Sequence, residues 1–253
     1  MRKILSLAAA AALFGLAGPA LAAGDAQAPK TMYWPHGGFF GTYDKAAVQR
    51  GYQVYKEVCA GCHSLKYIAF RNLTEIGLSE GEVKAIAASY QIQDGPNDQG
   101  EMFERPGRPS DRLPSPFPNE KAARAANNGA APPDLSLIVK ARGGYENYLY
   151  SLLTGYGNPP AGVALGDGMN YNPYFPGRQI AMASPLNADA VSFADGTKAT
   201  VEQMASDITQ FLAWAAEPTQ DARKRMGVKV VLFLILLSFL LYAAKKRVWS
   251  DVH

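Results

Sequence analysis

Five residues, Cys59-Ala60-Gly61-Cys62-His63, constrain this chain more than any other stretch. Two thiols three residues apart, followed at once by an imidazole, are what covalent attachment of a c-type haem requires. Each sulfur adds to a porphyrin vinyl group and the adjoining His reaches the iron. Whatever the chain folds into must then enclose a porphyrin. Other readings of the cluster are poorer. These are the only two cysteines among 253 residues, and no strand-then-helix setting of a thioredoxin-like dithiol surrounds them. Zinc fares worse, because adjacent Cys62 and His63 are awkward joint ligands of one tetrahedral ion, and few His remain to complete a closed site.

Both ends of the chain belong to a membrane rather than to that core. Met1-Arg2-Lys3, the apolar residues 4–21 and Ala20-Leu21-Ala22 supply the charged start, apolar middle and small-residue cleavage site of a secretory signal. Residues 1–22 are therefore expected to be removed. Export suits the chemistry, because c-type haem is attached outside the bacterial cytoplasm. Residues 226–244 form a second apolar run, about 28 Å long as a helix and close to the hydrocarbon thickness of a bilayer, with Lys229 placed to snorkel. Basic residues flank both ends of that run, Arg223, Lys224 and Arg225 before it and Lys245, Lys246 and Arg247 after it, so their count does not orient it. The signal does. The expected organisation is an extracytoplasmic haem domain at 23–222, an anchor helix at 226–244 and a short cytoplasmic tail at 245–253. In a bacterium this puts the haem domain on the periplasmic side of the inner membrane. Removing Arg2 and Lys3 takes the formal net charge from +3 to +1, and the exported part shows no basic face interleaved with aromatics. Nucleic acid is thereby excluded as a partner.

Along the exported part, Asp44 can cap a helix whose apolar positions Val48, Tyr52, Tyr55 and Val58 carry one face directly into Cys59. Ser79-Glu80-Gly81-Glu82 reads as a capping box opening a second helix through Val83, Ile86, Ala87 and Tyr90. Residues 91–118 are rich in Gln, Asp, Gly, Asn and Pro and read as a long loop, which a compact domain tolerates when it packs on something large, such as a haem. Short helices are expected from Glu120 to Asn128 and from Tyr145 to Thr154, each stopped by a Gly. Residues 155–185 are again rich in Gly and Pro. The last exported helix opens with Thr200-Val201-Glu202-Gln203, presents Met204, Ile208, Phe211, Leu212 and Ala215, and breaks at Pro218. No strand-like alternation of any length is evident. The expected fold is all-α, a class I c-type cytochrome-like haem domain with long loops plus one C-terminal transmembrane helix.

His63 fills one axial position of the iron. Met102, Met169, Met182 and His36 are candidates for the other, since the three methionines lie in irregular segments able to fold over a ring. The residues alone do not choose among them, and a hydrogen-bonded loop histidine is the plainer reading of His36. A thioether would favour the reduced iron and raise its potential. Between positions 75 and 104 the acids Glu75, Glu80, Glu82, Asp94, Asp98, Glu101 and Glu104 face a single base, Lys84. That run is either a solvated surface or a patch that steers a basic soluble partner toward the haem edge.

Several runs are more specific than the haem motif. Asn127-Asn128-Gly129-Ala130-Ala131-Pro132-Pro133-Asp134-Leu135-Ser136, Ser151-Leu152-Leu153-Thr154-Gly155-Tyr156, Asn172-Pro173-Tyr174-Phe175-Pro176-Gly177, Trp214-Ala215-Ala216-Glu217-Pro218 and Arg223-Lys224-Arg225-Met226-Gly227 closely resemble the cytochrome c1 family. The likeness runs from about Trp34 to Trp249. It implies the haem subunit of the ubiquinol:cytochrome c oxidoreductase, the proton-translocating cytochrome bc1 complex or complex III. Such a subunit carries one covalent haem c and takes single electrons from a Rieske iron–sulfur protein to a soluble cytochrome c. It forms no bonds of its own, and cytochrome b supplies the quinone sites. Cytochrome b and membrane lipid are further implied partners, in a complex expected to be dimeric. The resemblance also implies Met182 as the sixth ligand, and Asn127, Pro133, Leu135, Arg142, Tyr148, Leu153, Phe175 and Ile180 as haem neighbours. Arg142 would pair a propionate, which would otherwise be an unpaired charge. Where the family pattern after Arg142 reads His-Gly-Gly, this chain has Gly143-Gly144-Tyr145, and the extra cysteine pair of some bacterial relatives is absent. Outside that resemblance, the motif also admits a membrane-tethered haem peroxidase or ligand sensor with an open iron position, or a stand-alone anchored carrier.

Overall fold

The computed structural model describes residues 26–250 and is built mainly of helix. The expected signal segment, residues 1–22, lies outside them, as do the last three positions of the tail.

Helix α1, Lys45–Val54, starts where expected. Asp44 is extended, and its carboxylate accepts from Ala46 N at 3.0 Å and Ala47 N at 3.3 Å, meeting two otherwise orphaned donors. The helical run reaches Cys59 as expected, but not as regular α-helix throughout. Over Tyr55–Cys59 the ladder widens into a π turn, closed by Ala60 N donating to Tyr55 O at 2.8 Å. The extra residue rotates every side chain that follows, and such turns concentrate at functional sites.

Helix α2, Glu80–Ala88, has the reciprocal capping box: Glu82 N donates to Ser79 Oγ and Ser79 N to Glu82 Oε2. After it the expectation of a long loop without strands is corrected. β1, Gln91–Asp94, pairs antiparallel with β2, Phe103–Pro106, Gln91 lying opposite Pro106. Both strands are exposed or half-buried on each face, so no apolar alternation is present for a periodicity reading to detect. Arg105 holds the hairpin, bonding the Asp94 carboxylate and reaching Asp111 at 2.6 Å. The return segment pairs with the short 3-10 turn Phe70–Thr74 and the residues before it. Phe70 N donates to Asp111 O and Leu113 N to Ile68 O, each at 3.0 Å.

Helices α3 (Glu120–Ala126), α4 (Ile138–Ala141) and α5 (Tyr145–Leu153) follow, then a two-residue hairpin of β3 (Asn170–Tyr171) and β4 (Gln179–Ile180). Gly144 enters α5 at φ +87°, a left-handed conformation that favours glycine, and a Cβ there would sit 3.2 Å from that of Tyr148.

Helix α6, Val201–Ala216, is the centre of the domain. Thr200 Oγ1 caps it by accepting from Gln203 N at 3.1 Å, and Met204, Ile208, Phe211, Leu212 and Ala215 are all buried, as the periodicity implied. Helix α1 crosses it at Gly51. A Cβ on that residue would lie 2.1 Å from Asp207 O, so only hydrogen permits the approach. Beside the crossing, buried Asp207 accepts from Arg50 Nε at 2.8 Å, while Arg50 Nη1 reaches Asp195, also at 2.8 Å. The rings of Tyr52 and Tyr55 stand 5.7 and 5.8 Å from that of Phe211.

The last helix, α7, runs over Gln220–Val248, longer than the expected span at both ends because the flanking basic residues continue it. Its apolar side chains, among them Leu232, Phe233, Leu236 and Leu240, are exposed. Among the described residues it is the one helix long and apolar enough to cross a membrane.

Candidate haem site

The π turn delivers the thiols. Cys62 N and His63 N both return to Cys59 O, at 3.1 and 2.9 Å, so the motif folds back over its own helix end. Cys59 is half-buried and packs against the core, whereas Cys62 is exposed; neither is in a disulfide. Burial, reinforced by neighbouring Cys62, pushes the Cys59 thiol up to about 12.

His63 is oriented from across the chain. Its Nδ1 lies 2.8 Å from Pro133 O. A carbonyl can only accept, so Nδ1 carries the proton and Nε2 keeps its lone pair, the usual way a protein prepares an imidazole for a metal. Burial pushes its pKa below the ordinary histidine range, against the opposing pull of the Pro133 hydrogen bond, and this favours the neutral ring. The backbone around His63 is held as well. Tyr55 Oη donates to His63 O at 3.2 Å, and Asp134 accepts from Ser64 Oγ at 2.7 Å and Lys66 N at 2.9 Å. This donor set fits a haem iron: a neutral imidazole locked in one tautomer, beside two unpaired thiols at a helix end.

The expected site residues fall into groups. Cys59, Leu135, Tyr148 and Leu153 join one apolar cluster with α1 and α6. Leu135 N donates to Ser64 O at 2.9 Å, tying the Pro133 loop beside the motif. Arg142 is exposed, donates to its neighbour Ala141 O, and lies near enough to Tyr148 to oppose the rise in that phenol's pKa that burial causes. Tyr148 in turn influences Tyr156, whose hydroxyl donates to Met182 O at 3.1 Å. Ile180 is buried on β4, while Phe175 and Met182 are half-buried. Asn127 spends its side-chain amide on Ala123 O at 2.7 Å, at the end of α3. Of the other ligand candidates, Met102 is exposed just before β2, beside Gly95, and Met169 is half-buried beside Gly166. His36 is buried with Nε2 3.1 Å from Glu146 Oε1, the hydrogen-bonded loop histidine expected.

Two contributors escape reasoning from the sequence. Asp134 and Tyr156 both stand within the quoted family runs, but nothing local marks one as the brace of the His63 loop or the other as the support of the Met182 backbone. The acidic run is also partly neutralised, since Asp94 is paired with Arg105. Glu80, Asp98, Glu101 and Glu104 remain exposed.

Comparison with known proteins places residues 34–252 within the Cytochrome C1 family. The chain belongs to the cytochrome c1 family. It is 49% identical over 254 residues to a mitochondrial cytochrome c1 haem protein of Schizosaccharomyces pombe, covering 99% of this chain and 83% of that one. It is 52% identical over 225 residues to the mitochondrial cytochrome b-c1 complex catalytic subunit of Candida albicans, covering 88% and 78% of the two chains. A bacterial relative, cytochrome b/c1 of Bradyrhizobium diazoefficiens, is 49% identical over 272 residues, covering 98% of this chain and 40% of that longer one. The cytochrome c1 match takes in the π turn with its thiols, the Pro133 loop, Met182 and the whole of α7.

Proposed function

We propose that this chain is the electron-transfer subunit of a cytochrome bc1 complex. It carries one haem c bound covalently through Cys59 and Cys62 and passes single electrons from a Rieske iron–sulfur protein to a soluble c-type cytochrome. The observation that carries the reading is the hydrogen bond of His63 Nδ1 to Pro133 O, which aims an unprotonated Nε2 from the residue adjoining the second thiol.

Bound haem supplies a one-electron ferric/ferrous couple. Cys59 and Cys62 would tether it, each S–H adding across one vinyl group, at the end of α1. His63 and Met182 would hold the iron, the first through its unprotonated Nε2 and the second through a soft neutral thioether that would raise the potential. Tyr156 holds the Met182 backbone, a role the absent second cysteine pair leaves to packing and hydrogen bonds. Arg142 offers a fork of donors for a propionate. Leu135, Tyr148, Leu153, Phe175 and Ile180 keep water from the site, and Asn127 and Pro133 shape the loop that holds the His63 ring.

Helix α7 anchors this domain to the outer face of the cell membrane, the C-terminus lying in the cytoplasm, and packs beside cytochrome b. Quinol oxidation and proton translocation belong to the dimeric complex rather than to this chain. The exposed acids Glu80, Asp98, Glu101 and Glu104 steer a basic soluble acceptor.

Two measurements on the full chain in detergent test the reading. Pyridine haemochrome analysis should report one haem c per chain, and a colourless chain from a host able to mature c-type cytochromes would end the proposal. Met182→Leu should lower the midpoint potential and let the reduced iron bind carbon monoxide, which the parent does not. An unchanged potential would assign the sixth position to another residue.

A further inference from the structure

We propose that the loop joining His36 to Gly41 is a second membrane contact, in which Phe39 and Phe40 enter the headgroup–acyl boundary of the lipid bilayer beside α7. The proposal rests on the reading of α7 as the anchor.

Phe39 and Phe40 are 64% and 81% exposed and meet edge to face with ring centroids 4.9 Å apart. Scattered exposed apolar residues need no explanation, but two adjacent phenyl rings at a loop tip form a patch that water solvates poorly. The attachment of both ends of their loop to the start of α7 points to what covers them. Gln220, Asp221 and Lys224 share one face of its first turns. Tyr43 N faces the Asp221 carboxylate at 3.3 Å, and two residues earlier Gly41 O accepts from Lys224 Nζ at 3.0 Å. The strap is thus bonded at Tyr43 and at Gly41 to side chains from the first two turns of α7. At His36 it is held again, its carbonyl accepting from both Gln220 Nε2 at 2.9 Å and Lys224 Nζ at 2.6 Å. One ammonium therefore pins both ends of the loop, two residues before the apolar run begins at Met226.

The phenyl pair hangs from the level at which the span leaves the domain. Exposed Arg225 presents a cation at that same level, where phosphate headgroups lie. The loop is bonded to the helix whose exposed apolar run begins at Met226, and its remaining residues between His36 and Tyr43 are glycine and threonine, so the rings stand beside few polar side chains, which suits lipid better than a polypeptide partner with its own hydrogen-bonding needs. A second contact of this kind would limit swinging of the haem domain about α7.

The test places a photoreactive benzophenone amino acid at position 40 of the full chain in its native membrane, with the same group at 33 and at 236 as references. Tyr33 is 87% exposed but is flanked by Met32 and Trp34, both bonded to Asn147 of α5, and Leu236 lies within the span. After irradiation and mass analysis, phospholipid adducts at 40 and 236 but not at 33 support the proposal. Adducts at 236 alone overturn it while leaving the anchor intact, and a polypeptide adduct at 40 overturns it in favour of a neighbouring subunit. Absence of lipid at 236 as well would remove the anchor on which it rests.

Discussion

The replacement Gly51→Ala separates what local propensity predicts from what the helix crossing dictates. In an exposed helix interior the change stabilises by about 0.5–1 kcal/mol, because glycine loses more backbone freedom on folding. At Gly51 the added methyl would stand 2.1 Å from Asp207 O, 2.6 Å from Phe211 Cβ and 2.7 Å from Asp207 C. Two of these atoms are backbone, so no rotamer relieves the overlap and α1 must move away from α6. Overpacking of this kind costs about 1–3 kcal/mol, and the severity of a backbone clash puts Gly51 at the upper end. Setting about 3 kcal/mol against a gain of about 1 leaves a net loss of about 2 kcal/mol, or about 4–8 °C in Tm for a domain of this size. Gly81 is the internal control. It lies in α2, and a Cβ there meets nothing within 4 Å, so Gly81→Ala should raise Tm by a few degrees. Thermal melts of the purified holoprotein followed by far-ultraviolet circular dichroism measure both. A Gly51→Ala protein as stable as its parent would mean that the helices cross with more room than the structure gives them.

Arg50→Met should cost about 3–5 kcal/mol, measured by urea denaturation, because it strands the fully buried Asp207 carboxylate without its cation. The Asp111 carboxyl is held down to about 2 from 3.8, chiefly by Arg105. Its stabilising contribution is therefore complete above the unfolded value near 3.8 and is lost as pH falls through about 2. An NMR titration of that carboxyl should show the low midpoint in the parent and a return toward 3.8 in Arg105→Gln. If Glu80, Asp98, Glu101 and Glu104 steer a basic acceptor, its rate of reduction should fall as salt is added; a rate indifferent to ionic strength would dismiss steering.

How far the sequence was legible follows from the range of the interactions concerned. The caps at Asp44, Ser79 and Thr200 were readable because a cap involves residues three apart. The buried face of α6 was readable because helical period reports burial directly. The β1–β2 hairpin was not, because Gln-Ile-Gln-Asp and Phe-Glu-Arg-Pro bury neither face and its anchor, Arg105, acts through ion pairs. The π turn was also hidden. A pattern of Val48, Tyr52, Tyr55 and Val58 suits an unbroken helix, and the one-residue widening of the ladder before Cys59 leaves that apolar spacing unchanged.

By itself the sequence showed a Cys-x-x-Cys-His motif at one helix end, an apolar run of membrane length on another helix, and an order of motifs that marks the family. Tertiary structure decided which groups act on that chemistry. Pro133 sets the His63 tautomer from 70 residues away, Tyr156 holds Met182 from 26 residues away, and Lys224 grips the aromatic loop from 183 residues away. Local pattern records what each segment buries, but not which distant segment it is buried against. A hydrogen bond depends on that second fact, to within a few tenths of an ångström.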